Sequence, residues 1–99
     1  MKEFALSCEV VSREGDQLYS IEYAALITTV STVLIQHLVE LGLIEPIGTM
    51  LRSRDIARIA QIQRLHLDLG LNFVGAAMVL DMAQEIAQLK ARIRAYQEQ

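Results

Sequence analysis

Six apolar side chains near the C-terminus, Val79, Met82, Ile86, Leu89, Ile93 and Tyr96, recur at intervals of 3, 4, 3, 4 and 3 residues. That spacing is the seam of a short coiled coil, and a seam calls for a partner helix. Asn72 is an N-cap candidate, because its side-chain oxygen can accept a backbone N–H of the first turn, and no proline follows it. The spacing therefore predicts one helix from about Phe73 to Tyr96. At ~1.5 Å per residue it is roughly 36 Å long, more than a small domain covers by itself, so the distal half is expected to dimerise.

The rest of the chain is short for what it must bury. At 99 residues a single core is adequate without being generous, and dimer burial would help. With 53% apolar and 21% charged residues, a disordered chain is excluded. The lone Cys8 cannot form an internal disulfide, and no Cys/His cluster has metal-ligand spacing, so no metal and no cofactor are expected. The opening MKEFALSCEVVSRE lacks the apolar core of a signal peptide, and the simplest expectation is a cytoplasmic setting. The charge-free stretch from Tyr23 to Val39 fails as a membrane span. It is interrupted by Thr28, Thr29, Ser31, Thr32, Gln36 and His37 and is shorter than the ~20 apolar residues a bilayer needs.

In chain order, Glu3 to Ser12 alternates apolar and polar residues and predicts a strand, followed by a turn over Arg13, Glu14, Gly15 and Asp16. Ser20 caps a short helix, Ile21 to Thr28, with Ile21, Ala24, Ala25 and Leu26 turned inward. Thr29 and Val30 break it. Ser31 then caps a second helix, Thr32 to Leu41, which Gly42 ends in a left-handed conformation. Two capped helices joined by a tight turn form a helix-turn-helix.

Two faces of the second helix carry different messages. Leu34, Ile35, Leu38 and Leu41 belong to the core face. Val33, Gln36, His37 and Glu40 lie on the other, where a DNA-reading helix displays its base contacts. That face is not basic. From Ser20 to Gly48 the chain carries Glu22, Glu40 and Glu45 and neither lysine nor arginine, a surface that a phosphate backbone repels.

Leu43 to Gly48 and Met50 to Arg52 are expected to form a very small β-hairpin, a wing too short to reach a minor groove. Ser53 caps a third helix, Arg54 to Leu69, burying Ile56, Ile59, Ala60, Ile62 or Gln63, and Leu67, with Gly70 as its stop. Arg52, Arg54, Arg58 and Arg64 make this region positive, which reads as a solvated face laced with Asp55 and Asp68 in preference to a nucleic-acid patch.

The succession Tyr19-Ser20-Ile21, Val30-Ser31, Leu41-Gly42-Leu43-Ile44-Glu45-Pro46, Arg54-Asp55-Ile56 and Leu69-Gly70-Leu71 resembles the MerR-type winged helix-turn-helix over residues 19 to about 96. The chain departs from the transcription factors of that superfamily, since Val33, Gln36, His37 and Leu38 stand at the arginine and tyrosine positions of their recognition helix. Arg64-Leu65, the run Leu69 to Gly75, Leu80 and the run Ile86 to Lys90 are similar to the chaperone-modulator family called CbpM.

The resemblance implies a mainly α fold: a MerR-like winged helix-turn-helix with a reduced wing, an N-terminal strand and a long C-terminal helix. It would be one domain over residues 1–99, with 72–96 as the dimerising helix. It also implies a small bacterial protein, expected from its seam to be a homodimer, that binds the J-domain of a DnaJ-like co-chaperone, CbpA, and inhibits its work with DnaK. J-domains of that kind carry a basic helix, so Asp81 and Glu85, four residues apart on the long helix, together with Asp68 are candidate contacts. The same acids also fit a solvated helix face. The face Val33, Gln36, His37 and Glu40 is a second candidate contact, against the plainer reading that it has only lost its old role. A nucleophile with a base beside it is missing, His37 and His66 lie on separate helices, and no glycine-rich phosphate loop is present, so no enzyme is expected. The alternative is a MerR-type DNA-binding transcriptional regulator.

Overall fold

The computed structural model describes residues 10–11 and 15–98. Its elements are β1 (Val10–Val11), β2 (Gln17–Ser20), α1 (Ile21–Thr28), α2 (Thr32–Glu40), β3 (Met50–Arg52), α3 (Ser53–Leu69) and α4 (Phe73–Gln97). The strand expected over Glu3 to Ser12 lies outside the described residues except for β1, as do Arg13 and Glu14 of the expected turn. Mainly α architecture, a helix-turn-helix and one long C-terminal helix agree with the sequence expectation.

Each of three helix starts is closed by the side chain the sequence offered. Ser20 Oγ accepts the Tyr23 N–H at 3.0 Å, Ser31 Oγ the Leu34 N–H at 3.1 Å and Asn72 Oδ1 the Gly75 N–H at 2.7 Å. The fourth differs. The expected Ser53 cap is replaced by Asp55, whose carboxylate accepts the Arg52 backbone N–H at 2.9 Å, so α3 begins one residue early with Arg52 as its N-cap. A carboxylate at the third helical position can reach back to the N-cap amide and also favours the positive end of the helix dipole.

The axes of α1 and α2 turn through 113° across Thr29–Ser31, within the range of a helix-turn-helix. Ile35 and Leu38 of α2 are fully buried and pack with Ala24, Val30, Ile59 and Ile62. Three residues expected in the core are exposed: Leu26 at 61%, Leu41 at 41% and Leu67 at 67%. Leu26 follows the buried Ala24 by two positions, which is about half a helical turn and points it away. Leu41 is the C-cap of α2, past the last core-facing turn, and Leu67 lies beyond the stretch of α3 that ends its burial at Ile62.

The wing is corrected more substantially. β3 pairs with β2, through Leu18↔Arg52, Tyr19↔Leu51 and Ser20↔Met50, in a three-stranded sheet of order β1-β2-β3. Of the expected hairpin only one bridge exists, Ile47↔Met50, whose reciprocal N–H···O bonds of 2.9 and 3.0 Å close around Gly48 and Thr49. Gly48 has φ 62°, a value a side chain at the first central position of such a turn would oppose. Ile44 is 2% exposed, so the segment before the turn is drawn into the core instead of pairing, and Pro46 has no N–H to offer a ladder.

α4 meets α3 at 111° and packs through Ala76 and Ala77, both buried, whose small side chains allow a close approach. From Asp81 to Glu98 every residue is exposed, and this free-standing arm gives the molecule its 51 Å long dimension. Among the described residues no single helix is long and apolar enough to cross a membrane.

Candidate functional site

The solvent side of α2 is built by the burial of its other side. With Ile35 and Leu38 held at 0% and 1% exposure, helical periodicity turns Val33, Gln36, His37 and Glu40 outward, and all four are exposed. Val33 is 74% exposed, in the first turn of the helix. The structure thus brings the four residues expected on this face together. One contact was not foreseen: the His37 imidazole meets the Phe73 ring edge-on, with centroids 6.4 Å apart and planes at 76°. His66 lies against Phe73 as well, at 4.2 Å and 30°. Its Nδ1 is 2.6 Å from the Leu71 carbonyl oxygen, which only accepts, so Nδ1 carries the proton and donates. Two histidines 29 positions apart in sequence therefore converge on one aromatic ring, a juxtaposition that no local spacing could have signalled.

The arginines that follow α2 are only half available. Arg52 donates from Nε to Asp55 at 2.8 Å and from Nη2 to the Glu45 carbonyl at 2.9 Å. The Asp55 carboxylate raises the Arg52 pKa above its usual value, against an opposing contribution from burial. Asp55 is 5% exposed and is not the solvated surface acid expected; it is the buried cap and counter-ion of α3. Arg58 donates from Nε to the Leu43 carbonyl at 2.8 Å and from Nη1 to Asp81 at 2.7 Å. Its hydrogen bond holds the Asp81 carboxyl below the ordinary carboxylate value. Arg54 and Arg64 remain exposed.

Asp81 is thus tied to α3, while Glu85 is exposed one turn further along α4. Asp68 is exposed, ten residues from Arg58 on α3. At about 1.5 Å per residue that is roughly 15 Å along the helix from the residue Asp81 grips, so the three acids do not form one cluster. Of the seam, Met82, Ile86, Leu89, Ile93 and Tyr96 are between 49% and 77% exposed, and Val79 is half-buried where α4 still touches the core.

Two further features were missed from sequence. A polar groove of about 510 Å³ runs between the wing, α3 and Gln84, its arginines and acids being largely those of the ion pairs above. An apolar groove of about 340 Å³ lies between α1 and α3 over Ile56, Ala57 and Ala60, walled by Ile27 and by Tyr19 stacked on Tyr23 at 5.1 Å. The i, i+4 spacing of Tyr23 and Ile27 was a legible signal for the latter. Among the described residues no group of three or more His, Cys, Asp or Glu side chains is arranged to hold a metal.

Residues 19–97 match the family model described as MerR HTH family regulatory protein. The chain belongs to the MerR helix-turn-helix family. It is also 30% identical over 84 residues to a Streptomyces coelicolor protein named "Putative heat shock protein HspR". That match takes in 80% of this chain and 56% of the relative, so the chain spans little more than half of the relative's length. No solved structure shows a significant match. That membership agrees with the helix-turn-helix formed by α1 and α2.

Proposed function

We propose that this MerR-type protein regulates by binding another protein, the J-domain of a CbpA-type DnaJ-like co-chaperone, whose work with DnaK it inhibits in the bacterial cytoplasm. The observation that carries the reading is the α2 face. It presents Val33, Gln36, His37 and Glu40, with no cation, where a DNA-reading member of the fold needs phosphate and base contacts. Arg52 and Arg58, which donate to the carbonyls of Glu45 and Leu43 in the segment after α2, are engaged in intramolecular bonds. An exposed valine beside an imidazole suits a protein contact, where apolar area and aromatic rings supply binding energy. The resemblance to CbpM points the same way, whereas the relative named HspR fits the DNA-binding reading better. Homodimerisation through Val79, Met82, Ile86, Leu89, Ile93 and Tyr96 is part of this reading, and Glu85 is the acid best placed to steer a basic J-domain helix.

A second reading, DNA-binding transcriptional regulation, is favoured by the family match itself, since the family is defined by its helix-turn-helix. One pair of titrations separates the two. Calorimetry against an isolated CbpA-type J-domain is expected to give saturable binding. Fluorescence anisotropy with duplex DNA at low salt is expected to give none; tight, steeply salt-dependent duplex binding without J-domain binding sinks the proposal.

A further inference from the structure

We infer that Phe73 is a positioning residue for His37, so that the docking face on α2 is held in shape by the α3–α4 elbow. The inference rests on the proposed role of that face.

His37 projects from a solvent-exposed helix surface, where an imidazole ordinarily samples several rotamers and gives up that freedom on binding. Here its ring meets the edge of Phe73 at 6.4 Å and 76°, the geometry in which aromatic quadrupoles attract. Phe73 is in turn immobilised. It is the first residue of α4, behind the Asn72 cap, and its other neighbour is the His66 ring at 4.2 Å. His66 is pinned by its own 2.6 Å bond to the Leu71 carbonyl in the elbow. The chain of contacts from Leu71 through His66 and Phe73 to His37 joins three helices, and it orders the most polar aromatic group of the α2 face before any partner arrives. Preorganisation of this kind strengthens binding because the ordering entropy is already lost in the free protein.

The test is a double-mutant cycle in the full chain, with an isolated CbpA-type J-domain as the probe. Phe73→Leu, which keeps an apolar side chain at the elbow, is expected to weaken binding about 3- to 10-fold, the order expected for one immobilised side chain. In a His37→Ala background the same change is expected to have no further effect. If the two losses simply add, Phe73 acts on stability or on the partner directly and the inference is overturned. A partner-independent arm uses NMR of the free protein. The His37 ring protons should show nuclear Overhauser contacts to the Phe73 ring and a ring-current displacement that vanishes in Phe73→Leu and persists in Phe73→Tyr. Absence of those contacts in the wild type overturns the inference, and that measurement needs no folded variant. Should His37→Ala bind the J-domain like the wild type while the NMR contacts are present, the α2 face is not the docking surface, and the inference that Phe73 orders it for binding falls with it.

Discussion

Thr29 joins the two helices of the helix-turn-helix in a left-handed conformation, φ 57°, the one non-glycine residue with positive φ among those described. A β-branched side chain there is strained by about 1–2 kcal/mol. The turn tolerates it because Thr28 Oγ1 donates back to the Ala24 carbonyl at 2.7 Å and accepts from the Val30 N–H at 3.3 Å, while Val30 anchors in the core. Thr29→Gly is therefore expected to raise stability by up to about 1 kcal/mol, the relief of strain exceeding the entropy that glycine adds to the unfolded chain. A urea midpoint that rises at unchanged slope would show it. Val33 is the residue-scale test of function. Val33→Asp should lower J-domain affinity by more than about 1 kcal/mol, because it places a charge in an apolar contact. The fold should survive, as circular dichroism can check, since Ile35 and Leu38 hold the opposite side of α2. Wild-type affinity in a folded Val33→Asp protein would move the docking site elsewhere, toward Glu85 on α4.

At the scale of elements, the ties between α3 and its neighbours are ionic as well as apolar. Asp55 caps α3 and neutralises Arg52 from a buried position, so Asp55→Ala removes the cap and leaves a half-buried guanidinium short of an acceptor. A loss of about 1–3 kcal/mol is expected on chemical denaturation. Arg58 and Asp81 join α3 to α4 at the surface, where an ion pair contributes less than about 1 kcal/mol. Its pH signature has a definite sign. Asp81 titrates lower folded than unfolded, so the folded state binds fewer protons there. The stabilisation is present above the unfolded carboxylate value of ~3.9 and is lost as pH falls through the lower folded value. The difference between wild type and Asp81→Asn, small at neutral pH, should vanish in acid. A difference that grew on acidification would mean that Asp81 is not held by Arg58. Because Asp81 has this internal role, charge reversal for steering belongs at Glu85: Glu85→Lys should slow J-domain association and weaken its salt dependence, read by stopped-flow mixing.

At the scale of the whole molecule, the arm beyond Leu80 has no core of its own, and its apolar seam is open along its length. A second copy laid antiparallel, with Val79 opposite Tyr96, Met82 opposite Ile93 and Ile86 opposite Leu89, covers every seam residue. It also places Glu85 of each copy beside Arg92 of the other. Sedimentation at tens of micromolar is expected to show a dimer; a monomer under those conditions refutes it. Arg92→Glu should weaken that dimer, whereas a parallel pair, which would match Glu85 with Lys90, is left its favourable contact. Truncation after Leu80 should yield a monomeric or poorly soluble product, since the residues that would cover Met78 and Val79 are gone.

What the sequence determined by itself was whatever depends on neighbours within a few residues. Ser20, Ser31 and Asn72 placed three helix starts, Gly42 and Gly70 placed two stops with φ 79° and 69°, and the apolar period of α4 placed the longest helix. The absence of cations from α2 was equally legible, and with it the case against a DNA-reading face. What only the tertiary structure decided involves pairs that are distant in the chain. β3 pairs with β2, and only the Ile47–Met50 bridge is left of the wing, because Leu51 and Ile44 are both drawn under the helices, and local turn residues cannot report that competition. Whether an arginine is a free charge or a strut depends on which carboxylate and carbonyl the fold delivers to it, so Arg52 and Arg58 left the charge pattern while Arg54 and Arg64 stayed in it. His37 and His66 meet through Phe73 for the same reason: spacing along a chain fixes the face a side chain takes on its own helix, and only packing fixes which other helix that face meets.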